Sequence, residues 1–164
     1  MLLDLTSDTH MHSTYSDGIA SVADMATSAF EKGCKTIAIT DHAPLPFDTR
    51  YAMKKAHIPA YRNDILRAKK EYDGRMTIKT GMEIEYIPEH KEWTASIASM
   101  DWDLIIASVH TLVVDKRPGL VNGNETEFHT CLHQNFNGDI TSLCRTYYQT
   151  VQQAVQSGWF DIVG

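Results

Sequence analysis

The sequence predicts an α/β fold with parallel strands, and three observations predict it. Short β-branched apolar runs alternate with amphipathic helical stretches along the chain. The intervals between runs are long enough for helical crossovers, which parallel strands require. Polar residues of metal-ligand type recur just after the apolar runs, where α/β folds place their sites. An open doubly wound sheet and a barrel both satisfy the alternation. The strand-end clustering favours a barrel-like arrangement with its site at the C-terminal mouth.

Each element has its own signal. Residues 2–5 form the first apolar run, and residues 7–18 read as polar and turn-rich. Val22, Met25, Ala26, Ala29 and Phe30 recur with helical spacing, with Ser21 as N-cap and Gly33 as the C-terminal stop. Residues 36–40 are short, β-branched and apolar, a buried strand. Pro44 and Pro46 open a loop that reaches His57. Ile58, Tyr61, Ile65, Ala68 and Tyr72 then mark a second helix. Residues 76–82 read as a third strand, 89–100 as a third helix and 104–109 as a fully buried fourth strand. Residues 113–139 are broken by Gly, Pro and Asn and show no clear period, so they read as a long excursion near the ligand. Thr141 is expected to cap a fourth helix with Leu143, Tyr147, Val151 and Val155 inward and Gly158 as its stop. A fifth strand follows at 160–163.

Composition narrows the function classes. The 164 residues, 43% hydrophobic and 22% charged, suit one packed domain rather than a disordered chain. Residues 1–164 are therefore expected to form a single domain. No apolar run approaches a membrane span, and Asp4 interrupts the first one before it resembles a signal peptide. Three widely spaced cysteines, Cys34, Cys131 and Cys144, point to reduced thiols and a cytoplasmic location. A net charge of −6 argues against nucleic-acid partners and leaves room for a small anionic substrate where a local metal cluster supplies positive charge.

Eight histidines carry the chemistry, through their placement. The first strand runs into Asp8-Thr9-His10-Met11-His12 with Asp17 beyond; the second ends in Thr40-Asp41-His42, the third in Gly81-Met82-Glu83, the fourth in Ser108-Val109-His110. His10 and His12, two apart in an extended segment, point to one side and can grip one ion. A lone strand-end histidine is commonly structural, but four with two acids at successive strand ends form a metal-binding pattern. Mixed imidazole and carboxylate donors suit Zn, Mn or Fe, and more than four donors imply two or three ions. His57 and His90 read as solvated. His129 and His133 flank Cys131 in a stretch with no recognised cap, and read as surface residues. Trp93, Trp102 and Trp159 read as packing residues. No Gly-x-Ser-x-Gly elbow accompanies Ser16 or Ser108, against a serine hydrolase.

Asp8-Thr9-His10-Met11-His12, Ser16-Asp17-Gly18 and Ile39-Thr40-Asp41-His42 resemble the opening of the PHP (polymerase and histidinol phosphatase) metallophosphoesterases. Asp41-His42-Ala43-Pro44-Leu45-Pro46, Gly81 through Pro88, Ser108-Val109-His110 and Phe160 through Gly164 are similar to its histidinol-phosphate phosphatase branch. The resemblance implies a distorted (β/α) barrel of the PHP type, here incomplete, with about five parallel strands of seven. It implies metal ligands His10, His12, Asp17, His42, Glu83 and His110, with Glu83, His110 and Asp17 catalytic through bound metals and Asp41 orienting His42. It also implies further ligands beyond Gly164, so the chain reads as a C-terminally truncated domain. Such a chain should bind fewer ions, have little activity alone, and pair with copies of itself through the open barrel edge.

The expected reaction is hydrolysis of histidinol phosphate to histidinol and phosphate, with Arg50 and Arg117 as substrate-binding residues. A PHP phosphoesterase acting on nucleotides or another small phosphomonoester is one alternative. A non-catalytic metal-binding fragment is the other.

Overall fold

A computed structural model describes residues 5–47 and 49–164, so most of the 2–5 run lies outside the described residues. The elements are β1 (Ser7–Met11), α1 (Val22–Glu31), β2 (Thr36–Ile39), α2 (Ile58–Glu71), β3 (Thr77–Glu85), α3 (Lys91–Ala98), β4 (Leu104–Ser108), β5 (Thr111–Val114), β6 (Arg117–Leu120), α4 (Glu125–Phe136), α5 (Ile140–Ser157) and β7 (Ile162–Val163). Five strands form a parallel sheet in the order β1-β2-β3-β4-β7, and β5-β6 form a separate hairpin. The chain divides into two compact units, and β3 and β4 run from one into the other.

The first unit holds the residues up to Ile84 together with Met100–Ile106. β1 pairs with β2 from Ser7↔Thr36 and Asp8↔Ile37 to Met11↔Ile39, so β1 has one extra residue between Asp8 and Met11. Such a bulge re-aims side chains, and here it falls beside His10. The segment expected to be turn-rich therefore begins as a strand. Its burial alternates, half-buried at Ser7, Thr9 and Met11 and exposed at Asp8 and His10, as in a strand with one face covered. β2 and β3 pair in regular parallel register, Thr36↔Thr77 through Ile39↔Thr80.

α1 begins where Ser21 Oγ accepts from Asp24 N–H, and its buried face is Val22, Ala26 and Ala29. Gly33 follows it with φ +84°, a conformation open to glycine because it has no Cβ. α2 buries Ile58, Tyr61, Ile65 and Ala68, the period expected of it. Tyr61 is wholly buried. Its hydroxyl lies 2.7 Å from Ile39 O and 2.8 Å from Gly81 O, tying the helix to two strands.

The second unit holds Glu85–Ser99 and Ala107–Gly164. Tyr86, Ala107, Val109, Leu112, Cys131, Phe136, Leu143 and Ala154 form its core. The 113–139 excursion proves to be structured, which corrects the loop reading. β5 and β6 close through Asp115 and Lys116, with φ of 50° and 65°. Both values fall in the left-handed region used by tight hairpin turns. α4 then starts at a reciprocal capping box: Asn124 Oδ1 accepts from Glu127 N–H and Glu127 Oε2 accepts from Asn124 N–H. α5 is capped by Asp139, whose Oδ1 accepts from Thr141 and Ser142, so the expected Thr141 cap moves two residues earlier. Gly158, φ +69°, ends it. Among the described residues, no helix is long and apolar enough to cross a membrane.

Candidate metal centre

Glu83 sits near the C-terminal end of β3 and is 2% exposed. A carboxylate that deep must be met by partners that stabilise its charge. Its Oε1 lies 3.3 Å from His10 Nε2, and its Oε2 lies 2.9 Å from His12 Nε2 and 2.8 Å from His42 Nδ1. Strand geometry explains the convergence: His42 and Glu83 face each other in a parallel bridge, and Ala43 N–H donates to Glu83 O at 2.8 Å. His12 Nδ1 and Asp17 Oδ1 are 2.8 Å apart, and His42 Nε2 is 3.6 Å from Asp17 Oδ2. The His12 and His42 rings therefore each reach from Glu83 to Asp17, with centroids 4.3 Å apart. Tyr51 packs edge-on against His42 at 4.9 Å.

Five of the residues expected as ligands thus meet in the first unit, and their geometry fits divalent ions. The ligand atoms of His10, His12 and Glu83 lie within 4.8 Å of one another, as do those of His12, Asp17 and His42. Donors on one tetrahedral zinc, at about 2.1 Å from it, stand roughly 3.4 Å apart. Small side-chain shifts close that difference. His12 Nε2 is buried 2.9 Å from Glu83 Oε2, in a geometry poorly aligned for a hydrogen bond. An imidazole lone pair beside a carboxylate is a donor set that divalent first-row ions favour.

The electrostatics agree. Burial alone would lower the pKa of His12, but hydrogen bonding and attraction from Glu83 and Asp17 overcome it and hold the ring at about 9. For Asp17, burial pushes the pKa up, yet the His12 hydrogen bond and the His42 and His12 charges bring it below the ordinary carboxylate value. The surroundings therefore favour positive charge at this point.

The loop carrying Asp17 is pinned from beneath. Asp41 is wholly buried, and Oδ1 accepts from Ser13 N–H, Ser16 N–H and Ser16 Oγ at 2.9, 3.0 and 2.6 Å. Its Oδ2 accepts from Ser13 Oγ at 2.8 Å. Through these four bonds Asp41 shapes the loop that carries Asp17. Gly18 completes the turn because any Cβ there would run into the His12 carbonyl. Tyr15 anchors the outer side, its hydroxyl donating to Asp64 Oδ2 at 2.7 Å.

His110 lies in the second unit, and its environment reveals a residue the sequence reading missed. Glu85, 5% exposed, accepts His110 N–H and Thr111 N–H on Oε1 at 2.7 and 2.6 Å. Its Oε2 meets His110 Nδ1 at 2.8 Å. A histidine whose Nδ1–H is held by a carboxylate presents Nε2 as its ligand atom. The available signal was the Glu83-x-Glu85 spacing, which places both acids on one side of β3. A cavity of about 400 Å³ in this unit is lined by His110, Asn122, Phe128, Leu143, Tyr147 and Tyr148. Arg50 is exposed on the loop after β2, and Arg117 is exposed at the start of β6. Cys34, Cys131 and Cys144 are free thiols.

Comparison with known proteins gives the same reading of these motifs. The model of the PHP domain matches residues 8–164. A protein described as "Probable histidinol-phosphatase" from Deinococcus radiodurans is 29% identical over 161 residues, covering 96% of this chain and 58% of its own length. A histidinol-phosphatase from Bacillus subtilis is 31% identical over 140 residues, covering 79% of this chain and 52% of its own. The chain thus spans a little over half the length of these curated relatives. Among solved structures, a histidinol phosphate phosphatase from Lactococcus lactis, complexed with zinc, L-histidinol and phosphate, superposes with a TM-score of 0.59 at 26% identity. That match covers 68% of this chain and 41% of the other. With the family model spanning everything from the first strand-end histidines to the last strand, this chain belongs to the PHP domain family.

Proposed function

We propose that this PHP domain hydrolyses a phosphomonoester with the help of divalent metal ions, and that histidinol phosphate is the substrate. The observation that carries the reading is the buried Glu83 carboxylate, within 3.3 Å of three imidazoles supplied by the ends of β1 and β2. The ligand assignment is His10, His12 and Glu83 for one ion and Asp17 and His42 for a second, with His110 as the ligand candidate of the second unit. Bound there, divalent ions lower the pKa of a coordinated water to about 7 and neutralise phosphoryl oxygens.

The chain's own residues set the rest. Glu83 offers both oxygens to different imidazoles, the arrangement a bridging carboxylate needs. Asp17 adds negative charge that favours cations over bare phosphate. Glu85 fixes the His110 tautomer. Arg50 and Arg117 are the guanidinium candidates for gripping the phosphate. The relatives named for histidinol phosphate support the substrate, as does the neighbour solved with histidinol and phosphate.

The test is phosphate release by the full gene product carrying this domain, with Zn²⁺ or Mn²⁺, on histidinol phosphate against nucleoside and sugar monophosphates. Histidinol phosphate should have the highest kcat/KM. Glu83→Gln should lower kcat by roughly 100-fold or more with little change in KM, since it acts on the reacting centre. Equal rates across the substrates would overturn the substrate assignment, and undiminished kcat in Glu83→Gln would overturn the role of the cluster.

A further inference from the structure

The second unit carries metal-type side chains that the proposed reaction leaves unused. His129 and His133 lie one turn apart on α4, both exposed, with rings nearly parallel at 19° and centroids 6.1 Å apart. One turn earlier, Glu125 Oε1 stands 3.9 Å from His129 Nε2. Glu125, His129 and His133 therefore follow one face of the helix at intervals of four. We propose that His129 and His133, with Glu125 beside them, form a separate exposed site for a first-row divalent cation of the nickel, copper or zinc type.

Three physical features support the site. Two imidazoles at i and i+4 on one helical face are a recurrent chelating pair, because a single helical turn brings their ring nitrogens to one point. Two rings on one ion at about 2.1 Å have centroids roughly 5 Å apart, so χ rotations closing about 1 Å complete the grip. Exposed side chains make that rotation cheaply, whereas packed ones do not. The helix is also held at both ends. The Asn124–Glu127 capping box fixes the first turn, and Asn137, in the left-handed conformation, ends the last. The two backbone positions are thus fixed relative to one another before the ion arrives, which reduces the entropy lost on chelation.

The charge pattern points the same way. His133 lies in the last turn of α4, where the helix dipole favours positive charge. Glu125 supplies a carboxylate at 91% side-chain exposure, so it can approach an ion without leaving a buried charge behind. Imidazole donors prefer the later first-row ions over magnesium and calcium, and affinity rises along that row to copper. With two imidazoles, one carboxylate and water completing the shell, the site should hold Ni²⁺ more weakly than a closed site of four protein ligands. The inference stands apart from the hydrolytic reading, since none of the three residues belongs to the strand-end cluster.

The experiment is a Ni²⁺ titration of wild-type protein, the double variant His129→Gln/His133→Gln, and Glu83→Gln, with far-UV circular dichroism checking each fold. The double variant should lose one Ni²⁺ equivalent relative to wild type. His133→Gln alone should weaken that equivalent at least about tenfold, and Glu83→Gln should keep it. Copper bound to Glu83→Gln protein should show a spin-resonance pattern from two nitrogens that disappears in Glu83→Gln/His133→Gln. Identical Ni²⁺ stoichiometry and affinity in wild type and the double variant would overturn the proposal, as would a copper spectrum indifferent to His133.

Discussion

At the residue level, the ligands of the candidate centre are reactive groups held by unreactive ones. His10, His12, His42 and Glu83 were legible in the sequence because each closes or follows an apolar run, and parallel topology brings such ends together. Asp17 was legible from its spacing after His12. Asp41 was harder to place: a carboxylate beside a histidine reads as the histidine's partner. What decides its role is burial, since a wholly buried acid goes where donors are, and the donors come from Ser13 and Ser16. Glu85 was hidden for a related reason, because its partner His110 lies 25 residues away along the chain. Removing one donor tests this view of Asp41. Ser16→Ala deletes the 2.6 Å bond to a buried carboxylate. It should cost about 1.5–3 kcal/mol in urea unfolding. It should also weaken metal binding through a looser Asp17 loop, and unchanged stability with unchanged metal affinity would show that the loop holds itself.

At the level of elements, the strands and helices around strong periodicities were legible, while 113–139 was not. α4 buries only Cys131 and Phe136 among its twelve residues, so the apolar period that identifies a helix is nearly absent. Its capping box was the remaining signal, masked by Pro118, Gly119 and Gly123 just upstream. The hairpin turn was hidden because Asp115-Lys116 stands where Asn-Gly is usual. Tyr61 shows how one side chain couples elements, since its hydroxyl faces carbonyls of both β2 and β3. Burial, with the Asp41 charge adding to it, raises its pKa well above the ordinary tyrosine value. Above pH ~10 the unfolded chain releases this proton and the native chain retains it, so stability from Tyr61 is present at neutral pH and lost as pH rises past ~10. Tyr61→Phe should be about 1–3 kcal/mol less stable at pH 7. Its deficit against wild type should narrow as pH climbs above ~10. A deficit that stays constant to high pH would contradict the buried, un-ionised hydroxyl.

At the level of the whole molecule, the alternation of strands and helices delivered the five parallel strands that the sequence predicted, in the order β1-β2-β3-β4-β7. The hairpin and α4 entered as an insertion between β4 and the α5–β7 pair, a detail that parallel-sheet logic does not specify. The proposed divalent-metal centre is built from strand ends separated in sequence by up to seventy-odd residues, from His10 to Glu83. Its most direct test is metal content by mass spectrometry after zinc loading and gel filtration, on wild type and on Glu83→Gln folded to the same far-UV spectrum. Wild type should retain about two ions per chain, the number its donor set supports, and Glu83→Gln should lose most of them because a neutral amide replaces the carboxylate that faces three imidazoles. Equal zinc in both proteins would contradict the account.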